Sequence, residues 1–116
     1  SLLHQPTQRK EHKMDNTETI TFNSADWSGD NETATVTRVD NYKSLVTFRG
    51  GQFEAISYVE KHEGETLFEG YVLRQDGRKQ VSAIQCGKTW VAEEYGIERE
   101  DRNPIVALLQ VAANIL

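Results

Sequence analysis

The chain has 116 residues, of which 37% are apolar and 27% charged, with a formal net charge of −5. That length suits one domain, and no apolar run approaches the roughly 20 residues that span a bilayer. Cys86, the only cysteine, excludes an internal disulfide framework and suits a reducing compartment, so a cytoplasmic protein is expected.

Residues 1–13 carry no hydrophobic period and hold two of the three histidines. Met14 then opens Met-Asp-Asn-Thr-Glu-Thr-Ile-Thr-Phe, which reads like the start of an acidic protein with a first strand. Purine-rich codons are expected for Gln8 to Lys13, where a bacterial ribosome-binding site would lie. Residues 1–13 are therefore read as a translated leader or an expression-derived extension, without the apolar segment of a signal peptide. Residues 14–116 form the expected single domain. Three of the thirteen basic residues and one of the eighteen acidic ones fall in the leader, which leaves 10 against 17 and a net charge of −7. That balance disfavours nonspecific binding to nucleic acid, favours solubility and leaves open a basic protein partner.

Thr19 to Phe22 alternates polar and apolar residues, as a half-buried strand does. Turn-forming residues surround Trp27, and the β-branched run Thr33 to Val39 reads as a second strand. Arg38 shares the face of Ala34 and Val36, which suggests a sheet edge or a bulge. Two alternating runs then flank Gly50-Gly51: Tyr42, Val46 and Phe48 before it, Phe53, Ala55 and Val59 after it. The pattern predicts a tight hairpin centred on the two glycines. Thr66 to Arg74 is apolar on both faces, Asp76-Gly77 marks a second hairpin, and Arg78 to Cys86 returns. Gly87-Lys88 makes a third turn, and Thr89-Trp90-Val91 adds a short strand. Glu93 to Arg102 reads as an acidic connection with no apolar period.

Asn103-Pro104 announces a helix, with Asn as N-cap and Pro at the first helical position. Ile105, Leu108, Leu109, Ala112 and Leu116 share one face, and Val106, Val111 and Ile115 widen it. No charge interrupts Ile105 to Leu116, so either the sheet wraps the helix or a second copy covers the rest. A homodimer is the expectation. The predicted fold class is α+β: an antiparallel β-meander of five to six strands packed on one C-terminal α-helix.

No catalytic constellation, metal site or cofactor motif is expected. His62 lies among Glu60, Glu63 and Glu65 in a charged turn. Asp26 to Glu32 alternates oxygen-bearing side chains but lacks the sixth-position glycine and twelfth-position glutamate of a calcium loop. Cys86 reads as a small core residue, and Gly87-Lys88-Thr89 lacks the preceding glycine of a phosphate-binding loop. The basic residues Lys43, Arg49, Arg74, Arg78 and Lys79 fall near hairpin ends, where such charges are common.

The acidic stretch is more informative. Trp90, Glu93, Glu94, Tyr95 and Glu98 are the predicted interaction residues, since aromatics anchor interfaces and an anionic field steers a basic partner. The functional expectation is a small non-enzymatic binding or accessory protein, from a bacterium or mobile element. The alternative is a small-molecule site, or a small enzyme, with a pocket between sheet and helix lined by Phe48, Phe53, Phe68 and Tyr71.

Overall fold

A computed structural model describes residues 16–25, 28–75 and 79–115. The predicted leader, the residues Asp26 and Trp27, the Asp76-Gly77 turn and Leu116 lie outside the described residues. Eight strands form one antiparallel sheet in sequential order: β1 (Thr17–Asn23), β2 (Asn31–Arg38), β3 (Lys43–Phe48), β4 (Gly51–His62), β5 (Glu65–Gln75), β6 (Lys79–Cys86), β7 (Thr89–Glu94) and β8 (Ile97–Asp101). The sheet curls into a half-barrel, and one helix, α1 (Pro104–Ile115), follows it. The α+β class and the meander stand; the strand count of five to six is too low.

The correction comes mainly from the acidic stretch. Tyr95 and Gly96 both have positive φ, 52° and 78°, and they turn β7 back into β8, with Glu94 paired to Ile97. A two-residue turn of this kind needs positive φ at both central residues, and Tyr95 conceals it in the sequence. The same displacement occurs earlier in the chain. The turn centres on Arg49 (φ 51°) and Gly50 (φ 76°), one residue before the predicted Gly-Gly centre, and Gly51 already pairs with Phe48. Gly51 is tight for another reason, because a Cβ there would lie 2.9 Å from the Gln75 amide nitrogen. Nor is β2 an edge: β1 and β3 flank it, and Arg38 is simply its last residue.

Strand parity divides the residues into two faces. The concave face carries Phe22, Ala34, Val36, Val46, Phe48, Phe53, Ala55, Leu73, Val81, Ala83 and Ala92, all buried. The rings of Phe22, Phe48 and Phe53 pack in sequence, with centroids 5.7 and 6.5 Å apart. The helix packs against β5 to β8 and reaches β1. Ala83 and Ala92 face each other on β6 and β7 and are fully buried, leaving room there for a helix to approach. Val106, Ala107, Leu108, Leu109, Val111, Ala112 and Ala113 are all buried. The sheet therefore takes up, within one chain, the surplus helix surface from which a dimer was expected.

Both ends of the helix are tied. Asn103 Oδ1 accepts the amides of Ile105 (2.8 Å) and Val106 (3.4 Å), as an N-cap does. Near the other end, Arg49 Nη1 donates to the Ala113 carbonyl (3.1 Å), while its Nε donates to Glu32 (2.7 Å). Gln110 and Asn114, the polar residues of the helix, donate to the carbonyls of Asn23 and Ser24. They satisfy backbone groups where β1 leaves the sheet.

Leu108 is completely buried at the centre of this packing. Leu108→Ala should destabilise the protein by about 2–5 kcal/mol, read as a lower denaturant midpoint at unchanged slope.

Candidate functional site

The convex face of β4 to β8 holds a surface that parity alone assembles. The register aligns Ile56, Val72, Ser82, Glu93 and Glu98 in one row across five strands. The neighbouring row is Tyr58, Gly70, Ile84, Val91 and Glu100. Ile56, Tyr58, Val72 and Val91 are half-buried and Ile84 is 39% exposed, so the middle of the face is apolar yet open to solvent. Phe68 adds its ring edge-on to Tyr58, at 6.3 Å between centroids. Gly70 makes this possible, because Tyr58 lies across it and a Cβ there would collide with the ring.

Charge is distributed unevenly around that middle. On the β3–β5 side Glu54 is held by Lys43 Nζ and Arg74 Nη2, each at 3.3 Å. The hydrogen bonds from Arg74 and Lys43 lower the Glu54 pKa below the usual carboxylate value. On the β7–β8 side the acids stand without cations. Glu93 and Glu98 are directly opposed across the strands, both exposed, and neither carboxylate has an ion-pair or hydrogen-bond partner among the described residues. Glu100 accepts a bond from the Thr89 hydroxyl. Like charges facing each other across a strand pair cost stability, so this end of the face is electrostatically uncompensated.

The five predicted interaction residues are therefore split. Glu93 and Glu98 lie on the convex face. Tyr95, 74% exposed, sits at the tip of the β7–β8 turn. Trp90 and Glu94 point the other way, to the concave side, where Trp90 meets Tyr71 edge-on at 5.2 Å. The predicted pocket set divides as well. Phe48 and Phe53 fill the core, Phe68 is on the convex face beside a shallow open hollow, and Tyr71 lines a larger cavity. The Tyr71 cavity, about 660 Å³, opens at the mouth of the half-barrel beside the start of α1. Val36, Tyr71 and Ile105 supply its apolar lining, and Glu18, Arg38 and Ser44 its polar groups.

Sequence reasoning missed Ile56, Tyr58, Val72, Ile84 and Val91 as a group. The available signal was the run Thr66 to Arg74, apolar on both faces, which meant that one apolar face lay away from the core. Among the described residues no three His, Cys, Asp or Glu side chains converge to hold a metal ion. His62 is exposed at the far end of the β4–β5 hairpin, 3.8 Å from Glu63, and Cys86, expected in the core, is exposed because it ends β6 at a turn. No helix among the described residues is long and apolar enough to cross a membrane. No family model, curated protein or solved structure matches the chain.

Tyr58 gives this face a titratable marker. Burial, and then the Glu60 carboxylate, raise its pKa above the usual tyrosine value of 10.0. A raised pKa favours the neutral phenol in the folded state. That stabilisation is complete below the unfolded pKa and is lost as pH rises through the folded one. Thermal melts across this alkaline range should fall more steeply for the native chain than for Tyr58→Phe.

Proposed function

We propose that this small α+β domain is a non-enzymatic binding protein that docks a basic, partly apolar protein surface on the convex face of β4 to β8. The observation that carries the reading is the uncompensated Glu93–Glu98 pair beside the half-exposed row of Ile84 and Val91. An apolar centre with a charged rim is the arrangement in which the centre supplies affinity and the rim supplies orientation and on-rate. Cations from a partner would relieve the cross-strand repulsion between Glu93 and Glu98. The acidic balance of the chain favours such a partner at longer range. The lone cysteine suits a cytoplasmic accessory factor, and the small size suits a bacterial or mobile-element origin.

The cavity at the half-barrel mouth supports a second reading, a small-molecule site. Its volume of about 660 Å³ falls within the range of ligand pockets, and polar groups of both charges meet apolar side chains in its lining. Tyr71 links this reading to the predicted pocket set.

Charge reversal separates the two. Capture from a nuclease-treated bacterial lysate should recover one basic protein in stoichiometric amount and release it at high salt. Glu93→Lys/Glu98→Lys should weaken that binding by about tenfold or more, and Ile84→Asp should abolish it. A variant in the cavity, Ser44→Ala, should retain the partner. Capture unaffected by both convex-face variants, or no specific protein recovered, overturns the proposal and moves the weight to the cavity. A ligand screen by thermal shift would then be decisive.

A further inference from the structure

The two ends of the sheet are built differently, and the difference points to how the protein meets a second copy of itself. In β1 the hydrogen-bond alternation is set by the Arg38 amide, which donates to the Asn16 carbonyl at 2.7 Å. Antiparallel strands alternate between residues that exchange both backbone bonds with the partner and residues that turn both groups away. Asn16, Glu18, Ile20 and Phe22 therefore bond to β2, while Thr17, Thr19 and Thr21 direct their amides and carbonyls outward from the sheet. Asn23 continues the outward set, and its carbonyl is taken by Gln110 of the helix at 3.0 Å. The six backbone groups of the three threonines have no partner among the described residues.

Exposed strand edges are ordinarily blunted by lysine, proline, a bulge or a covering element. The register of β1 is continuous from Thr17 to Asn23 and contains no lysine or proline. The opposite edge is guarded. In β8 the residues whose backbone turns outward are Glu98 and Glu100, so a second β8 laid against it would bring four carboxylates together.

We propose that β1 is a self-association edge, joining two copies through antiparallel β1–β1 pairing about a two-fold axis at Thr19. The pattern is self-complementary about Thr19, so a second copy of β1 supplies it. With Thr19 opposite Thr19 of the second copy, Thr17 meets Thr21 and Thr21 meets Thr17, and all six outward groups of each strand find partners. On the concave side Glu18 falls opposite Ile20, so the two Glu18 carboxylates are kept apart. The two half-barrels become one continuous sixteen-stranded sheet with a shared threonine face, and the convex face of β4 to β8 remains open in both. The inference is independent of the partner proposed for that face.

The test follows from the geometry of Thr19. Its amide is not used within the chain, so Thr19→Pro removes an intermolecular donor at no intramolecular hydrogen-bond cost. Thr19→Lys keeps the amide and places two cations at the axis. Sedimentation of the full chain from micromolar to millimolar concentration should show a reversible monomer–dimer equilibrium. Each variant should raise its dissociation constant by about tenfold or more, and circular dichroism should confirm that each is folded. Hydrogen exchange should show the amides of Thr17, Thr19 and Thr21 protected only where dimer is present. A monomer at every concentration overturns the proposal, as does a dimer that survives both variants. Protection of these amides in the monomer overturns it too, because the edge would then be occupied from within the chain. Should Thr19→Pro fail to fold, Thr19→Lys and the exchange pattern decide.

Discussion

A helix of twelve residues without one charge cannot rest on a flat sheet in water. About half of its circumference would stay exposed, and burying apolar area is what stabilises a domain of this size. The constraint is met by curvature. Eight strands, rather than five or six, give the sheet enough width to curl around α1. Ala83 and Ala92 let the helix approach β6 and β7, while Phe22, Phe48 and Phe53 fill the hollow elsewhere. Even the two polar residues facing β1 are used, because Gln110 and Asn114 satisfy carbonyls that leave the sheet at Asn23 and Ser24.

Curvature also explains why the convex face is not simply a wet surface. Strands that continue beyond their neighbours pair only with each other: β4 and β5 extend past Ile56 and Gly70 as a two-stranded arm reaching His62 and Glu65. Tyr58 covers Gly70 and meets Phe68 edge-on at the root of that arm, stiffening it from the convex side. The apolar rows across β4 to β7 thus have a local structural role and an open remainder. Charge is then arranged by side. Lys43 and Arg74 quench Glu54 at one margin, whereas Glu93 and Glu98 face each other unquenched at the other.

Much of this architecture was legible in the residues, and the failures have physical causes. Asn103-Pro104 marked the helix start correctly, because a cap and a fixed φ are local chemistry. The charge-free run after it foretold burial on most of the helix circumference. What escaped was β8, because its turn uses Tyr95 in a conformation that sequence reading assigns to glycine or asparagine, and its strand, Ile-Glu-Arg-Glu-Asp, holds one apolar residue. The acidic cluster was located, but once the stretch was taken as a connection its residues had no parity. Glu94 therefore could not be separated from Glu93 and Glu98, although adjacent residues of a strand face opposite sides. The predicted pocket had the same weakness. Phe48 and Phe53 fill volume that an aromatic count cannot distinguish from an empty cavity.

Because α1 follows all eight strands in the chain, its position also governs the order of assembly on the ribosome. Every strand is synthesised before the element that covers the concave face. Until Ile105 to Ile115 leave the exit tunnel, Phe22, Phe48 and Leu73 lie on an uncovered hollow that any passing apolar segment or chaperone can engage. The helix is therefore the step that seals the fold, and a nascent chain stalled near Arg102 would carry a complete sheet with an adhesive interior.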